Sequence, residues 1–125
     1  MSAIVGLGID LVDCERIAAV YKRYGERFLQ RIYTKTERDY CLSHNNPVPH
    51  LAARFAVKEA ARKALTLGSA LSWQDVELWR ADNGSLTLRL DGRAASLAAT
   101  LGVKSSHVSL SHERQMAVAV VVLGN

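Results

Sequence analysis

The sequence predicts an α+β fold in which a largely antiparallel sheet packs against a long central helix. Three observations support this prediction. The first and last segments have strand-like apolar patterns, residues 76–90 alternate around an Asn-Gly turn, and residues 50–67 are the longest run of helix-forming residues. No repeat, low-complexity tract or linker interrupts the pattern. We therefore expect one domain over residues 1–125.

The first third of the chain is predicted to form a strand and two helices. In residues 3–12, large apolar residues alternate with small or polar ones, as in a strand. Asp13 is suited to cap the helix that follows, and Gly25 is expected to bend or end that helix midway. Residues 34–37, Thr-Lys-Thr-Glu, have the form of a capping box, so a second short helix should begin there.

The main helix is predicted after the turn that contains Pro47 and Pro49. It runs from His50 to about Leu67, and Gly68 is its expected stop. The elements expected after it are a hairpin of residues 76–80 and 86–90, a short helix over 93–101, and strands over 107–111 and 116–123. The last strand is almost wholly apolar, which indicates a place at the centre of the sheet or at a subunit contact.

Composition and charge indicate which class of protein this is and what kind of partner it binds. The apolar run 116–123 is far shorter than the ~20 residues that cross a bilayer, and no basic-then-apolar leader begins the chain, so we expect neither a membrane span nor a signal peptide. A formal net charge of +4 favours an anionic partner, whether nucleic acid, phosphate or acidic protein. Cys14 and Cys41 lack the spacing of metal ligands, and two cysteines are too few for disulfides to stabilise a small secreted fold. We therefore expect a cytoplasmic protein with reduced thiols.

Asp10 and Glu59 are the candidate ligands of a divalent cation. Asp10 shares a strand face with Gly6 and Gly8, and strand glycines are typical of a place where a ligand or another backbone comes close; alternatively, Asp10 only ends the strand and helps to cap the next helix. Glu59 lies among cations, where it alternatively forms an ordinary surface pair with Lys63. Two carboxylates can hold Mg²⁺ while waters and phosphate oxygens complete its octahedron.

The main helix is predicted to have a small-residue side for packing and a charged opposite side. The small side carries Ala53, Val57, Ala60 and Ala64, and the charged side carries Arg54, Lys58, Glu59, Arg62 and Lys63. Leu51 and Phe55 fall among these charges, where a monomer would expose them, so we expect a partner subunit to cover them. Of the four histidines, only His112 ends a predicted strand, where ligands meet loops; His44, His50 and His107 show no ligand spacing.

Three segments of the chain, in order, resemble the signatures of holo-acyl-carrier-protein synthase, the short class of 4′-phosphopantetheinyl transferases. They are residues 6–12 (GLGIDLV), 54–64 (RFAVKEAARKA) and 108–112 (VSLSH). The central segment is the most specific of the three. The resemblance implies the fold of that family and an enzyme that moves the phosphopantetheine arm of coenzyme A onto a serine of an acyl carrier protein, releasing adenosine 3′,5′-bisphosphate.

Carried over by position, the resemblance implies a role for several residues. Asp10 and Glu59 would ligate Mg²⁺ on the coenzyme A pyrophosphate, and Lys63 would neutralise charge on the same group. The residues implied at the nucleotide end and its 3′-phosphate are Arg54 and His112, with Lys58 nearby.

The resemblance also implies a homotrimer with active sites between subunits. The family commonly has a Gly-Thr-Gly loop around the coenzyme, whereas this chain has Leu65-Thr66-Leu67-Gly68 and keeps only Gly68 for that role.

Arg16, Arg23 and Arg27 are predicted to dock the acidic carrier protein. On a continuous first helix, steps of seven and four residues align these arginines along one stripe, which would steer the encounter and orient the acceptor serine. Alternatively the stripe is an ordinary solvated face, and Gly25 displaces Arg27 from it.

Two other functions fit parts of the sequence. A small basic nucleic-acid-binding protein would explain the charge, but only 6% of the residues are aromatic, so we expect no nucleic-acid partner. An inactive paralogue would explain the altered Leu65–Gly68 loop. Within the transferase reading, the general base is either Glu59, directly or through a water, or a water held by other groups.

Overall fold

A computed structural model of the chain describes residues 3–66 and 72–125. Its elements are β1 (Ile4–Asp13), α1 (Cys14–Tyr24), α2 (Glu26–Ile32), α3 (Lys35–Leu42), α4 (Val48–Ala64), a 3₁₀ turn (Trp73–Asp75), β2 (Val76–Arg80), β3 (Leu86–Leu90), α5 (Gly92–Thr100), β4 (Ser105–Glu113) and β5 (Met116–Gly124). This order confirms the predicted α+β class. None of the described helices has the length and apolar character that a membrane crossing needs.

The strands form two antiparallel sheets. β5 lies at the centre of a three-stranded sheet between β1 and β4, as its apolar sequence predicts, and β2 pairs with β3 in the predicted hairpin. In the larger sheet, Asp10 aligns with Ala119, and His112 aligns with Ala117 two residues away on the same strand. Because side chains alternate along strands, Asp10 and His112 project from the same face, here called the inner sheet face.

The two strand glycines let α4 lie directly on the inner sheet face. A Cβ atom at Gly6 would stand 1.9 Å from the carbonyl oxygen of Ala64, and one at Gly8 would stand 1.8 Å from that of Ala60. No side chain fits at such distances, so any larger residue would push the helix off the strand. The strand glycines beside Asp10 predicted the close approach of a ligand or of another backbone. The structure shows that the backbone of α4 is what comes close to them.

The first half of the side of α4 that was predicted to be charged is buried within the same chain, whereas Lys63 at its far end stays exposed. Leu51 is fully buried and Phe55 is only 8% exposed. The Phe55 ring stacks on Trp73 with 5.0 Å between centroids. The expectation that a partner subunit covers Leu51 and Phe55 is therefore wrong, because α1, α3 and the 3₁₀ turn form a second layer on this side.

The large exposed apolar surface lies on the other face of the three-stranded sheet, here called the outer sheet face. Three apolar side chains of β1 on this face are between 60% and 62% exposed. They are Leu7, Ile9 and Leu11, and the register places them beside Val122, Val120 and Val118 of β5. Contiguous exposed apolar side chains of this kind mark interaction surfaces.

Helix ends follow the local sequence closely. Asp13 caps α1 by accepting a hydrogen bond of 2.9 Å from the backbone N–H of Glu15. Thr34 and Glu37 exchange both hydrogen bonds of the predicted capping box at the start of α3. α4 ends at Ala64, three residues earlier than predicted, and its expected stop, Gly68, lies outside the described residues.

Candidate active site

Asp10 and Lys63 meet where α4 crosses β1. The Nζ atom of Lys63 lies 3.1 Å from Oδ1 of Asp10 and donates a hydrogen bond of 2.9 Å to the carbonyl of Ile9. Glu59 lies one helical turn before Lys63, so its side chain is on the same side of α4. The close approach at the two strand glycines therefore brings Asp10 into contact with Lys63, about fifty positions later in the sequence, and places Glu59 one helical turn away on the same side of α4.

The two carboxylates are sheltered but accessible. The side chain of Asp10 is 17% exposed and that of Glu59 is 19% exposed. Glu59 pairs with Arg62, at 3.1 Å between Oε1 and Nη2, and not with Lys63 as the ordinary surface interpretation expected. That Oε1 atom is nevertheless buried without a well-formed hydrogen bond among the described residues. The hydrogen bond from Arg62 goes to the other oxygen, Oε2, at 3.4 Å, so a cation that binds Oε1 would replace an ion-pair contact and no hydrogen bond.

Asp10 and Glu59 fit a Mg²⁺ site that is shared with a ligand. Mg²⁺ prefers oxygen ligands and is usually held by one or two carboxylates together with waters and phosphate oxygens. In the described part of the chain, no group of three or more His, Cys, Asp or Glu side chains could hold a metal ion. An ion at Asp10 and Glu59 would thus take its other ligands from water and substrate.

Arg54 lies in a second group of side chains, at the N-terminal half of α4. This residue is 2% exposed, and its guanidinium carbon lies 4.1 Å from the centroid of the Tyr40 ring. One turn earlier, the His50 ring stacks on His44 at 3.7 Å and contacts His112 edge-on at 5.6 Å. The fold therefore joins α3, α4 and β4 at one place, although His44 and His50 show no ligand spacing in the sequence.

We call this group the histidine cluster. Its members are Tyr40, His44, His50, Arg54, Arg80 and His112. Within residues 3–66 and 72–125, no carboxylate pairs with either arginine. Burial, together with the smaller effect of the positive charges of His44, Arg54, His112 and Arg80, lowers the pKa of His50 to about 4. The cluster is cationic and holds a neutral His50 at pH 7, which suits an anionic ligand.

Lys58 lies in neither group. Its Nζ atom forms an ion pair of 2.7 Å with Glu37 and donates hydrogen bonds to the carbonyls of Trp73, at 3.1 Å, and of Val76. Burial lowers the pKa of Lys58, and the Glu37 carboxylate opposes that shift. The prediction that Lys58 contacts the nucleotide is wrong, because all three donors of its ammonium group are used inside the protein.

The predicted stripe of arginines is interrupted. Gly25, with φ 56° and ψ −131°, ends α1, so Arg27 belongs to α2 while Arg16 and Arg23 remain on α1. Only glycine adopts such a conformation readily. All three arginines are exposed, but they do not lie on one continuous helix.

An apolar groove that the sequence did not predict lies beside Arg27. It encloses about 530 Å³ between α1, α2 and the 3₁₀ turn. Its apolar lining consists of Val20, Tyr24, Phe28, Ile32 and Trp73. Arg27 and Arg31 also line it, so the groove combines apolar surface with positive charge. Because Trp73 is remote from the two helices in sequence, no local pattern indicated this groove.

Comparison with known families and curated proteins gives consistent results. Residues 6–121 match the family described as the 4′-phosphopantetheinyl transferase superfamily. The chain is 48% identical over 122 residues to a holo-[acyl-carrier-protein] synthase of Koribacter versatilis, an alignment that covers 96% of this chain and 98% of the relative. It is also 48% identical to a synthase of the same name from Yersinia pestis, with coverage of 97% and 98%.

Solved structures with the same fold include three bacterial holo-[acyl-carrier-protein] synthases. The Neisseria meningitidis protein has a TM-score of 0.86 at 31% identity, covering 97% of this chain and 98% of that one. The Helicobacter pylori protein, in complex with coenzyme A, has a TM-score of 0.81 at 30% identity, with coverage of 94% and 98%. The Bacillus anthracis protein, in complex with CoA (3',5'-ADP), has a TM-score of 0.79 at 32% identity, with coverage of 97% and 96%.

Proposed function

The chain belongs to the 4′-phosphopantetheinyl transferase superfamily and transfers the phosphopantetheine arm of coenzyme A to an apo acyl carrier protein, and we propose that it does so with Mg²⁺ held by Asp10 and Glu59. The transfer follows from relatives of that activity, 48% identical over nearly the whole chain. The observation that supports the metal site is the contact between Asp10 and Lys63, one helical turn from Glu59, whose Oε1 atom accepts no hydrogen bond among the described residues.

In the proposed reaction, the serine oxygen of the carrier protein attacks the phosphorus that bears the pantetheine. The bond from that phosphorus to the oxygen of the second phosphate breaks, and adenosine 3′,5′-bisphosphate leaves. A bound Mg²⁺ supplies positive charge to the pyrophosphate and orients its oxygens. Lys63 adds a second positive charge beside Asp10, where negative charge builds up on the leaving group.

The serine proton needs an acceptor, and we assign this role to Glu59, directly or through one water. One Glu59 oxygen is buried and lacks a well-formed hydrogen bond, which leaves a carboxylate able to accept. A carboxylate that also holds a metal is a weaker base, so a water held by other groups is the alternative. A pH–rate profile that keeps its acidic limb in Glu59→Gln would favour that alternative.

At the nucleotide end, we propose that Arg54 and His112 meet the 3′-phosphate of coenzyme A. The histidine cluster supports this assignment because it gathers positive charge with no paired carboxylate among the described residues. His112 is exposed and Arg54 is enclosed, so the phosphate would reach His112 first. The proposed contact of Gly68 with the coenzyme stays a prediction, since Gly68 lies outside the described residues.

The surface of α1 and α2 is the proposed docking site for the carrier protein. Arg16 and Arg23 on α1 and Arg27 on α2 are exposed, and Arg27 lines the apolar groove. An acidic amphipathic helix complements such a surface, because its apolar side fills the groove while its carboxylates meet the arginines.

We further propose a homotrimer that acts in the cytoplasm. The exposed outer sheet face supports self-association, while the number three comes from the family resemblance alone. Cys14 and Cys41 are both buried and free, as expected for a reducing compartment.

A single assay tests the function against its rivals. The chain is incubated with coenzyme A, Mg²⁺ and an apo carrier protein, and the carrier is weighed by mass spectrometry. A gain of one phosphopantetheine supports the transferase, and its loss in excess EDTA, with recovery on added Mg²⁺, supports the metal. An unmodified carrier would instead indicate the inactive paralogue, or a nucleic-acid-binding protein if oligonucleotides bind tightly with strong salt dependence.

Variants of the two carboxylates locate the metal. Asp10→Ala and Glu59→Ala should each lower the rate on the order of 10²-fold or more while the fold is retained, because each removes charge-bearing ligands at the transition state. Asp39→Ala, at an exposed pair on α3, is the matched control. Transfer at near wild-type rate by both Asp10→Ala and Glu59→Ala in limiting Mg²⁺ would place the site elsewhere.

A further inference from the structure

Tyr40 is the side chain around which the histidine cluster is arranged. The guanidinium of Arg54 lies 4.1 Å from its ring centroid, and that of Arg80 lies 5.7 Å away. The rings of His44 and His50 contact it edge-on at 4.8 and 5.7 Å. One aromatic ring on α3 thus contacts cations or imidazoles from the turn after α3, from α4 and from β2.

Arg54 is an unusual buried cation. It is 2% exposed, and its Nε atom has no hydrogen-bond partner among the described residues. A buried charge is normally compensated by a carboxylate, since removal from water is costly. In the described part of the chain, no carboxylate forms an ion pair with Arg54, whereas the face of the Tyr40 ring lies 4.1 Å from its guanidinium carbon.

The charge of Lys58, the next cation along α4, is compensated by a carboxylate and not by an aromatic ring. Lys58 pairs with the Glu37 carboxylate, which neutralises its charge, and its donors are all used. Arg54 keeps its charge because an aromatic face attracts a cation without neutralising it. A carboxylate would occupy two N–H donors of the guanidinium, whereas a cation–π contact does not pair them with an oxygen acceptor.

We propose that Tyr40 is a positioning residue that holds Arg54, by a cation–π contact, ready to bind the 3′-phosphate of coenzyme A. This inference rests on the proposed function, in which Arg54 and His112 meet that phosphate. The ring fixes where the guanidinium lies and keeps its charge and donors available to the anion. The cluster consequently selects for a ligand that carries the 3′-phosphate, and Tyr40 contributes to that selection without touching the reacting atoms.

The test compares coenzyme A with 3′-dephospho-coenzyme A, which lacks only the phosphate in question. Tyr40→Leu should raise KM for coenzyme A about tenfold, with KM for the dephospho form and kcat both within about twofold of wild type. Tyr40→Phe keeps the aromatic face and should restore KM for coenzyme A. Trp79→Leu is the matched control, because Arg89 lies 4.1 Å from the Trp79 ring outside the histidine cluster.

Since KM does not depend on the fraction of active enzyme, partial unfolding of Tyr40→Leu would not produce this pattern. Should Tyr40→Leu fail to fold, phenylalanines of increasing fluorination at position 40 keep the shape and weaken the cation–π contact, and log KM for coenzyme A should rise with each fluorine. Equal changes in both KM values, or no dependence on fluorination, would overturn the role of Tyr40. A wild-type chain that modifies no carrier protein would instead overturn the proposed function itself.

Discussion

Replacing Lys58 by methionine should destabilise the fold far more than it disturbs coenzyme A binding. The variant keeps the length of the side chain but removes the ammonium group that pairs with Glu37 at 2.7 Å. The two side chains are 1% and 0% exposed, so the Glu37 carboxylate would be left charged and unpaired in the protein interior. Removing one partner of a buried ion pair typically costs about 3–5 kcal/mol.

A loss of this size is a large fraction of the total free energy of unfolding. Native domains are stable by about 5–15 kcal/mol, so Lys58→Met should remove a major part of the free energy of unfolding. Urea denaturation followed by circular dichroism measures this loss. Lys35→Met is the control, because Lys35 pairs with Asp39 at a similar distance, 2.8 Å, with both side chains mostly exposed. An exposed pair of this kind should change stability by less than about 0.5 kcal/mol.

A double variant tests whether the unpaired charge of Glu37 causes this loss of stability. Gln at position 37 carries no charge, and its single carbonyl oxygen keeps an acceptor for one of the two N–H groups, of Thr34 and Leu78, that bind separate oxygens of Glu37. Lys58→Met with Glu37→Gln should therefore recover about 1–2 kcal/mol of the loss. The reasoning is refuted if Lys58→Met costs no more than Lys35→Met. A selective rise in KM for coenzyme A in the folded Lys58→Met enzyme would restore the nucleotide-binding role that the structure contradicts.

Three further predictions concern docking, assembly and pH. Reversing the charge of Arg16 and Arg23 should raise KM for the carrier protein and flatten its salt dependence while KM for coenzyme A stays constant; unchanged values of both would refute the docking surface. Ile9→Lys, in the middle of the outer sheet face, should dissociate the oligomer in light scattering, and a monomeric wild type at micromolar concentration would refute self-association. Because burial and the nearby positive charges lower the pKa of His50 to about 4, the unfolded state binds more protons than the folded state between about pH 6.5 and 4. The free energy of unfolding should therefore fall as the pH drops from about 6.5 to 4, and His50→Phe should lose part of that slope in urea titrations.

Several features of the fold could be predicted from short segments of the sequence. The capping box at Thr34 and the hairpin around Asn83-Gly84 depend on residues within a few positions of each other, so their pattern alone predicts them. The signature segments around Asp10 and Glu59 were identifiable for the same reason. Each places chemically distinctive residues at fixed local spacing.

What the sequence by itself determined is thus the identity and order of most elements, the family, and the candidate carboxylates. The tertiary structure decided which faces are covered and which charges are paired. Periodicity divides α4 into faces, but only the packing of α1 and α3 buries Phe55 and turns Lys58 inward. Likewise, only the fold brings the Tyr40 ring over Arg54. The physical reason is that burial and pairing depend on distances between residues remote in sequence, which no local pattern encodes.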